Sequence, residues 1–327
     1  MSTGSVRRSP RPRRIGLSIA LALGALLGLA ACAPAPVEPG AHYEIAGGGK
    51  AGVYYTYGDR LAAALHQRLG VDFSVAETQG SVENLRRIAS GESLIGFAQG
   101  DTAVDAVSGA GSFDTRLPVT ALARVYDEYV HVVVPADSDA RRISDLAGRR
   151  VSLGSESSGV QVIATRVLEA AGVDPETVEN PALSLDASID AMQRGELDGF
   201  FWVGGLPTPG IVQLQAFSPI RLLPIDATIV DRVNAGHSGV YRLADFTVGA
   251  YGIEAPAVTM TVPNYLVASA HAPDDLIYAV VRSLFDARAK IARDVTAAEL
   301  LDRRQAIFTG PIELHPGAAR YYVDARR

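Results

Sequence analysis

The chain's 327 residues leave room for about two domains of ~150 residues, and 48% hydrophobic with 20% charged residues exclude wholesale disorder. Five of the 30 basic residues (Arg7, Arg8, Arg11, Arg13, Arg14) precede residue 32, where there is no acid; the remaining 25 face 36 acidic residues, which excludes nucleic-acid binding through a broad basic surface. The single cysteine excludes an internal disulfide framework and cysteine-based zinc or iron–sulfur sites.

Residues 1–31 combine that arginine-rich head with an uncharged apolar run from Ile15 to Ala31, shorter than a comfortable membrane span and ending in small residues. This pattern predicts an export signal. The run ends in Leu29-Ala30-Ala31-Cys32, which resembles a bacterial lipobox, so Cys32 is the expected lipidation site and the new N-terminus. A permanent transmembrane anchor with an incidental cysteine is the alternative. Residues 32–41 then form the lipidated cysteine and a Pro/Ala spacer, which would hold the body at the outer face of the cytoplasmic membrane or in the periplasm. No later stretch is long and apolar enough to span a bilayer.

From His42 onward the pattern alternates strand and helix. Tyr43–Ala46 predicts a strand, Gly47–Gly52 a glycine-rich loop, and Tyr54–Leu69 a helix stopped by Gly70. Val71–Ala76 alternates like a strand, and Ser81–Asn84 opens a helix that runs to Gly91. Leu94–Ala98 is a strand whose end, Gln99–Asp101, starts another helix. A second series follows from about residue 134: a strand at Val151–Leu153, a helix over Val160–Ala171, a helix over Asp186–Arg194, and a buried strand at Leu197–Val203. Val130–Val134 and Val258–Val267 read as β-rich crossings, while Pro273–Ala289 and Ala297–Thr309 read as helices. Repeated βα units imply parallel sheet with helices packed on it.

Three segments carry candidate chemistry. Gly47–Gly52 fits G-x-G-x-x-G between a strand and a helix, with Glu77 near where a ribose-binding acid would stand, but an exported protein meets little nicotinamide cofactor. What survives is a glycine-rich helix start able to receive an anion. Ser155–Gly159 resembles a defective nucleophile elbow, with His131 and His237 as base candidates; N-capping by Ser157 or Ser158 is the simpler reading. The six histidines show no metal-ligand spacing, so no metal and no cofactor is expected. Trp202 ends a buried strand ahead of Gly204 and Pro207, a place from which it serves either the core or a ligand crevice.

Together these segments resemble one family, the TAXI class of solute-binding subunits of TRAP transporters. The resemblance rests on Ala46–Tyr55 (AGGGKAGVYY), Gln79–Leu85 (QGSVENL), Gln99–Asp101 (QGD), Ser157–Gly159 (SSG), Phe201–Pro209 (FWVGGLPTP) and Val262–Val267 (VPNYLV). It covers essentially the whole mature chain in order. It implies an α/β, two-lobe type II periplasmic-binding-protein fold with a hinged cleft, no enzymatic activity and a monomer. It also implies capture of a small organic anion (a glutamate-like amino acid, dicarboxylate or keto acid) for sodium- or proton-coupled TRAP membrane permease subunits. On that resemblance Tyr54, Tyr55, Asn84, Gln99, Ser157 and Ser158 are the best ligand contacts; Gly52, Asp101, Ser155, Gly159, Trp202, Gly204 and Pro207 complete the candidate set. No arginine stands clearly at the cleft, so backbone N–H groups at helix starts would meet carboxylate oxygens. Lobe one is expected at 42–133 plus 258–327 and lobe two at 134–257, hinged near Val133-Val134 and Thr259–Val262. Three alternatives remain: the binding lipoprotein of an ATP-driven importer, an exported serine hydrolase using Ser157, and a periplasmic sensor module.

Overall fold

The computed structural model describes residues 1–5, 41–247, 249–253 and 257–326, so the apolar run, Cys32 and the spacer lie outside the described residues. The chain divides into Met1–Glu38 and Pro39–Arg327, and the architecture that follows is that of the second unit.

Strands β1 (His42–Ala46), β2 (Asp72–Ala76) and β3 (Ile95–Gln99) form a parallel set in the order β2-β1-β3. Helix α1 (Val53–Leu69) connects the first two strands and α2 (Ser81–Ser90) the second pair; α3 (Gly100–Ser108) leaves β3 directly. All three helices end on a left-handed glycine (Gly70 φ 64°, Gly91 φ 82°, Gly109 φ 68°), a conformation that costs glycine nothing and lets the chain turn back to the sheet. Gly70 and Gly91 therefore set the ends expected from the sequence for α1 and α2, and Gly109 does the same for α3, whose end the sequence reading leaves open.

Two long strands organise the rest. β4 (Val119–Pro135) and β9 (Val258–Ser269) pair antiparallel, and β9 also pairs with β3. Beyond Tyr129, β4 changes partner: Tyr129–Val133 pairs with β6 (Gly199–Gly204) and Val133–Pro135 with β7 (Ile220–Leu222). β5 (Val151–Ser152) lies parallel to β6, and β8 (Arg242–Asp245) pairs with the start of β9. Helices α4 (Gly159–Ala170), α5 (Leu185–Gln193), α6 (Pro209–Phe217) and α7 (Ala227–Gly236) belong to this second half. After β9, α8 (Asp274–Ile291) and α9 (Pro316–Asp324) return to the first half, where they pack on each other.

The hydrophobic cores divide along the same line. One combines Val82, Leu85 and Ile88 of α2 with Val119 and Ala121 of β4 and Val267 of β9. Another combines Val130, Val132 and Val134 of β4 with Ile163 and Val167 of α4 and Met260 and Val262 of β9. The fold is thus α/β and two-lobed, with β4 and β9 running through both lobes. Two register shifts, at Ala121/Ala123 and Arg124/Tyr126, interrupt the β4–β9 ladder where it leaves the first core; such bulges re-aim side chains and raise local twist.

One expectation fails. Ala297–Thr309 is not a helix: only Thr296–Leu300 forms a short 3-10 turn. The segment instead meets the edge of β4, with the Arg124 N–H donating to the Ala306 carbonyl (2.9 Å); just beyond it, the Ala121 N–H donates to the Glu313 carbonyl (2.9 Å). Covering an open strand edge satisfies buried backbone groups that a helix would have left unpaired. The final helix, α9, begins at Pro316 behind the His315 cap; the sequence reading places no helix there.

Candidate ligand-binding cleft

Three helix starts, each following a turn that the sequence marks with glycine or serine, meet at one cavity of about 460 Å³. α1 contributes Gly52, Val53 and Tyr54; α2 contributes Gly80, Ser81 and Glu83; α4 contributes Ser158, Gly159 and Val160. β4 supplies Glu128, β3 supplies Gln99, and β6 supplies Phe201–Gly204. Leu183–Asp186, at the start of α5, completes the wall. The cavity therefore lies between the lobes, beside the β4–β9 crossing.

Glu128 is the chemical centre. It is 1% exposed and accepts hydrogen bonds from the Gln99 amide (2.8 Å), the Tyr126 hydroxyl (3.1 Å) and the Tyr54 hydroxyl (3.2 Å). Asn264 donates in turn to the Tyr54 hydroxyl. Burial pushes the Glu128 carboxyl up to about 8 against the lowering effect of these donors, and burial with the adjacent carboxylate pushes Tyr54 and Tyr126 well above the usual tyrosine range. Gln99 gives one amide N–H to Glu128, and among the described residues its own buried oxygen finds no partner. No alternation pattern could single out Glu128, because the β4 bulges precede it and nothing local marks its burial.

The lobes touch across the cleft. The Ser157 N–H donates to Gln79 Oε1 (3.1 Å), and the Glu83 N–H donates to the Ser157 carbonyl (3.1 Å). A Cβ on Gly159 would collide with Gln99 Oε1, and one on Gly52 would stand 3.3 Å from the edge of the Trp202 indole. These glycines permit an approach that any side chain would obstruct. Away from the cavity, Arg166 of α4 pairs with Asp101 (2.8 Å) and Asp105 of α3, and the Tyr241 hydroxyl donates to Asp101 (2.6 Å).

Of the residues expected from the sequence, Gly52, Tyr54, Gln99, Ser155, Ser158, Gly159, Trp202 and Gly204 line the cavity, whereas Tyr55, Asn84, Asp101, Ser157 and Pro207 do not. Asn84 is fully buried and braces the glycine loop, donating to the Gly47 and Phe97 carbonyls. Asp101 is committed to Arg166. Ser158 caps α4 by accepting from the Gln161 N–H (3.1 Å) while its hydroxyl donates to the Ser155 carbonyl (2.6 Å). The His131 ring nitrogens are taken up by the Tyr129 carbonyl (2.9 Å) and the Tyr251 hydroxyl (2.8 Å), which leaves no base for a serine nucleophile there. Trp202 is half-buried; its N–H donates to Thr208 Oγ1 (3.0 Å), and its ring packs against two cores while facing the cavity. Among the described residues no group of His, Cys, Asp and Glu could hold a metal ion, and no helix is long and apolar enough to cross a membrane.

Two lobes on one mixed sheet, joined by two continuous strands with a cavity at the crossing, define a periplasmic-binding-protein fold of type II. The chain belongs to the NMT1-like family, which it matches over residues 45–325. In fold it is similar to the alkanesulfonate-binding protein SsuA from Xanthomonas axonopodis pv. citri bound to MOPS (TM-score 0.51, 16% identity, covering 88% of this chain and 85% of that one). It is likewise similar to PhnD1 from Prochlorococcus marinus in complex with methylphosphonate (TM-score 0.53, 11% identity, 87% and 96%). A putative L-cystine ABC transporter from Listeria monocytogenes gives a TM-score of 0.50 at 13% identity, covering 80% and 98%. At such identities the likeness is one of fold.

Proposed function

We propose that this chain is an extracytoplasmic solute-binding subunit that captures a small polar solute between its lobes and delivers it to a membrane permease. The observation that carries this reading is the cavity of about 460 Å³ walled by both lobes, with three helix starts and the buried Glu128 facing one space. Gly52, Tyr54, Gln99, Ser155, Ser158, Gly159, Trp202 and Gly204 are the proposed contacts. The N–H groups of the helix starts would receive an anionic part of the solute, as the sequence reading expects, although among the described residues no Lys, Arg or His lines the cavity to support them.

An ATP-driven importer is the favoured partner, since two of the similar solved proteins are an alkanesulfonate-binding protein and a putative ABC transporter. The narrower TAXI-type motifs support an ion-coupled TRAP permease as the second reading. Uptake that stops on ATP depletion but survives collapse of the ion gradients would favour the first; the reverse would favour the second. Acylation at Cys32 remains part of the proposal, and release of a Cys32→Ser chain from the membrane fraction would support it. Thermal-shift screening of small solutes tests solute capture itself: a solute at 100 times its Kd adds ~2.7 kcal/mol to the folded state, a readily visible shift. A flat response across a broad library would count against it.

A further inference from the structure

We infer that the solute carries a protonated nitrogen seated against Glu128 and Gln99 on the floor of the cleft, an inference that rests on the solute-binding reading above. Among the described residues the cavity is lined by four acids, Glu77, Glu83, Glu128 and Asp186, and by no Lys, Arg or His. Two of these acids are already matched. Glu77 pairs with Lys50 (2.8 Å) on the exposed lip, and Glu83 accepts from the Gln79 N–H (2.8 Å) and lies 3.8 Å from Arg87. Among the described residues Glu128 has no cation beside it: its three hydrogen-bond donors are an amide and two phenols. Asp186 also lacks one, and burial, then the nearby Asp190 and Glu77 charges, hold its carboxyl above the usual range.

The second observation is an acceptor left open. Tyr54, Tyr126 and one N–H of the Gln99 amide point at Glu128, while among the described residues the buried Gln99 oxygen beside it stays unpartnered. A second carboxylate or sulfonate there would face that acceptor and an acid with no compensating cation, whereas an ammonium brings three donors and the missing charge. The groups facing Glu128 are Tyr54, Tyr126, Gln99 and, behind Tyr54, Asn264; the tyrosines stay protonated near neutrality, so Glu128 is the group that titrates there. In the empty cleft at neutral pH it holds a proton; a cation favours the carboxylate, and the proton passes to solvent as the solute binds.

The test uses the exported chain, with putrescine, γ-aminobutyrate, succinate and butanesulfonate as probes of similar size. The expected result is calorimetric binding of an amine-bearing probe at pH 7, with close to one proton released as judged from buffers of different ionisation enthalpy. Glu128→Gln, a neutral isostere whose fold is checked by circular dichroism, should weaken that binding at least tenfold and abolish the proton release. Binding of succinate or butanesulfonate in preference to the amines would overturn the inference and leave solute capture standing. Amine binding without proton release, or unaffected by Glu128→Gln, would overturn it equally. A flat response to these probes and to a broad library of neutral solutes would remove solute capture, and the inference with it.

Discussion

Glu128 and His131 lie on the same strand, are both buried, and titrate in opposite directions on folding. Burial raises the carboxyl to about 8 and lowers the imidazole to about 4. For His131 the unfolded chain binds the extra proton between about pH 4 and 6.5, so its contribution makes stability rise with pH through that window. For Glu128 the folded chain keeps the extra proton between about pH 4.5 and 8, so its contribution makes stability fall as pH rises. The two oppose each other up to about pH 6.5; above it only the Glu128 slope remains. The ligand-free protein should therefore lose Tm between pH 6.5 and 8, and Glu128→Gln should flatten that decline. A Tm equally steep in both proteins over this range would show that the burial of Glu128 is not what destabilises the fold there.

At the scale of elements, α3 and α4 belong to different lobes and are joined by the Asp101–Arg166–Asp105 cluster, in which Arg166 is 7% and Asp101 0% exposed. Burial pushes the Asp101 carboxyl up against the lowering influence of Arg166 and Tyr241, so the guanidinium offsets the desolvation of a charge otherwise stranded in the interior. Removing one partner of such a buried group costs about 3–5 kcal/mol, far more than a surface pair. Arg166→Met should cost that order in urea unfolding and weaken solute binding by loosening the closed form. Combining it with Asp101→Asn and Asp105→Asn should recover much of the stability, because no unpaired carboxylate then remains in the cluster. A loss within ~1 kcal/mol, as for an exposed pair, would mean that the cluster does not hold the lobes together.

The whole molecule is two cores strung on β4 and β9, and the cores separate between Ala121 and Val130 on one strand and between Val262 and Tyr265 on the other. The β4 bulges fall beside that separation, where a regular ladder would resist bending. The expected hinge near Val133-Val134 lies inside the second half's cores, so opening and closing is better placed about Tyr126–Glu128 and Val262–Asn264. That would place Glu128 at the pivot, so that a bound solute contacts the moving part directly. Small-angle scattering should show a smaller radius of gyration with saturating solute, and Trp202 emission should change as Gly52 and the indole close over it. Identical scattering profiles and unchanged emission would argue against a hinged clamp.

Local periodicity and punctuation determined the βα units: α1 to α3 end on Gly70, Gly91 and Gly109, where only glycine turns the chain without cost. The same local signals marked the glycine and serine helix starts that meet at the cleft, which is why eight of the expected site residues line it. What no local pattern encodes is which lobe a helix faces and which polar residue the fold buries. Asp101 opens α3 as a ligand residue would, yet its side chain turns to Arg166, 65 positions further along the chain. Glu128 sits among ordinary alternating residues of β4, and only the approach of Tyr54, Gln99 and Asn264 from distant segments makes it a buried acid. Ala297–Thr309 carries helix-forming residues, yet it forms a run of turns whose Ala306 carbonyl accepts from Arg124 of β4, so the demand of an open strand edge outweighed propensity. Secondary structure follows from neighbours in sequence; burial, pairing and charge compensation follow from neighbours in space, and the tertiary fold alone supplies those.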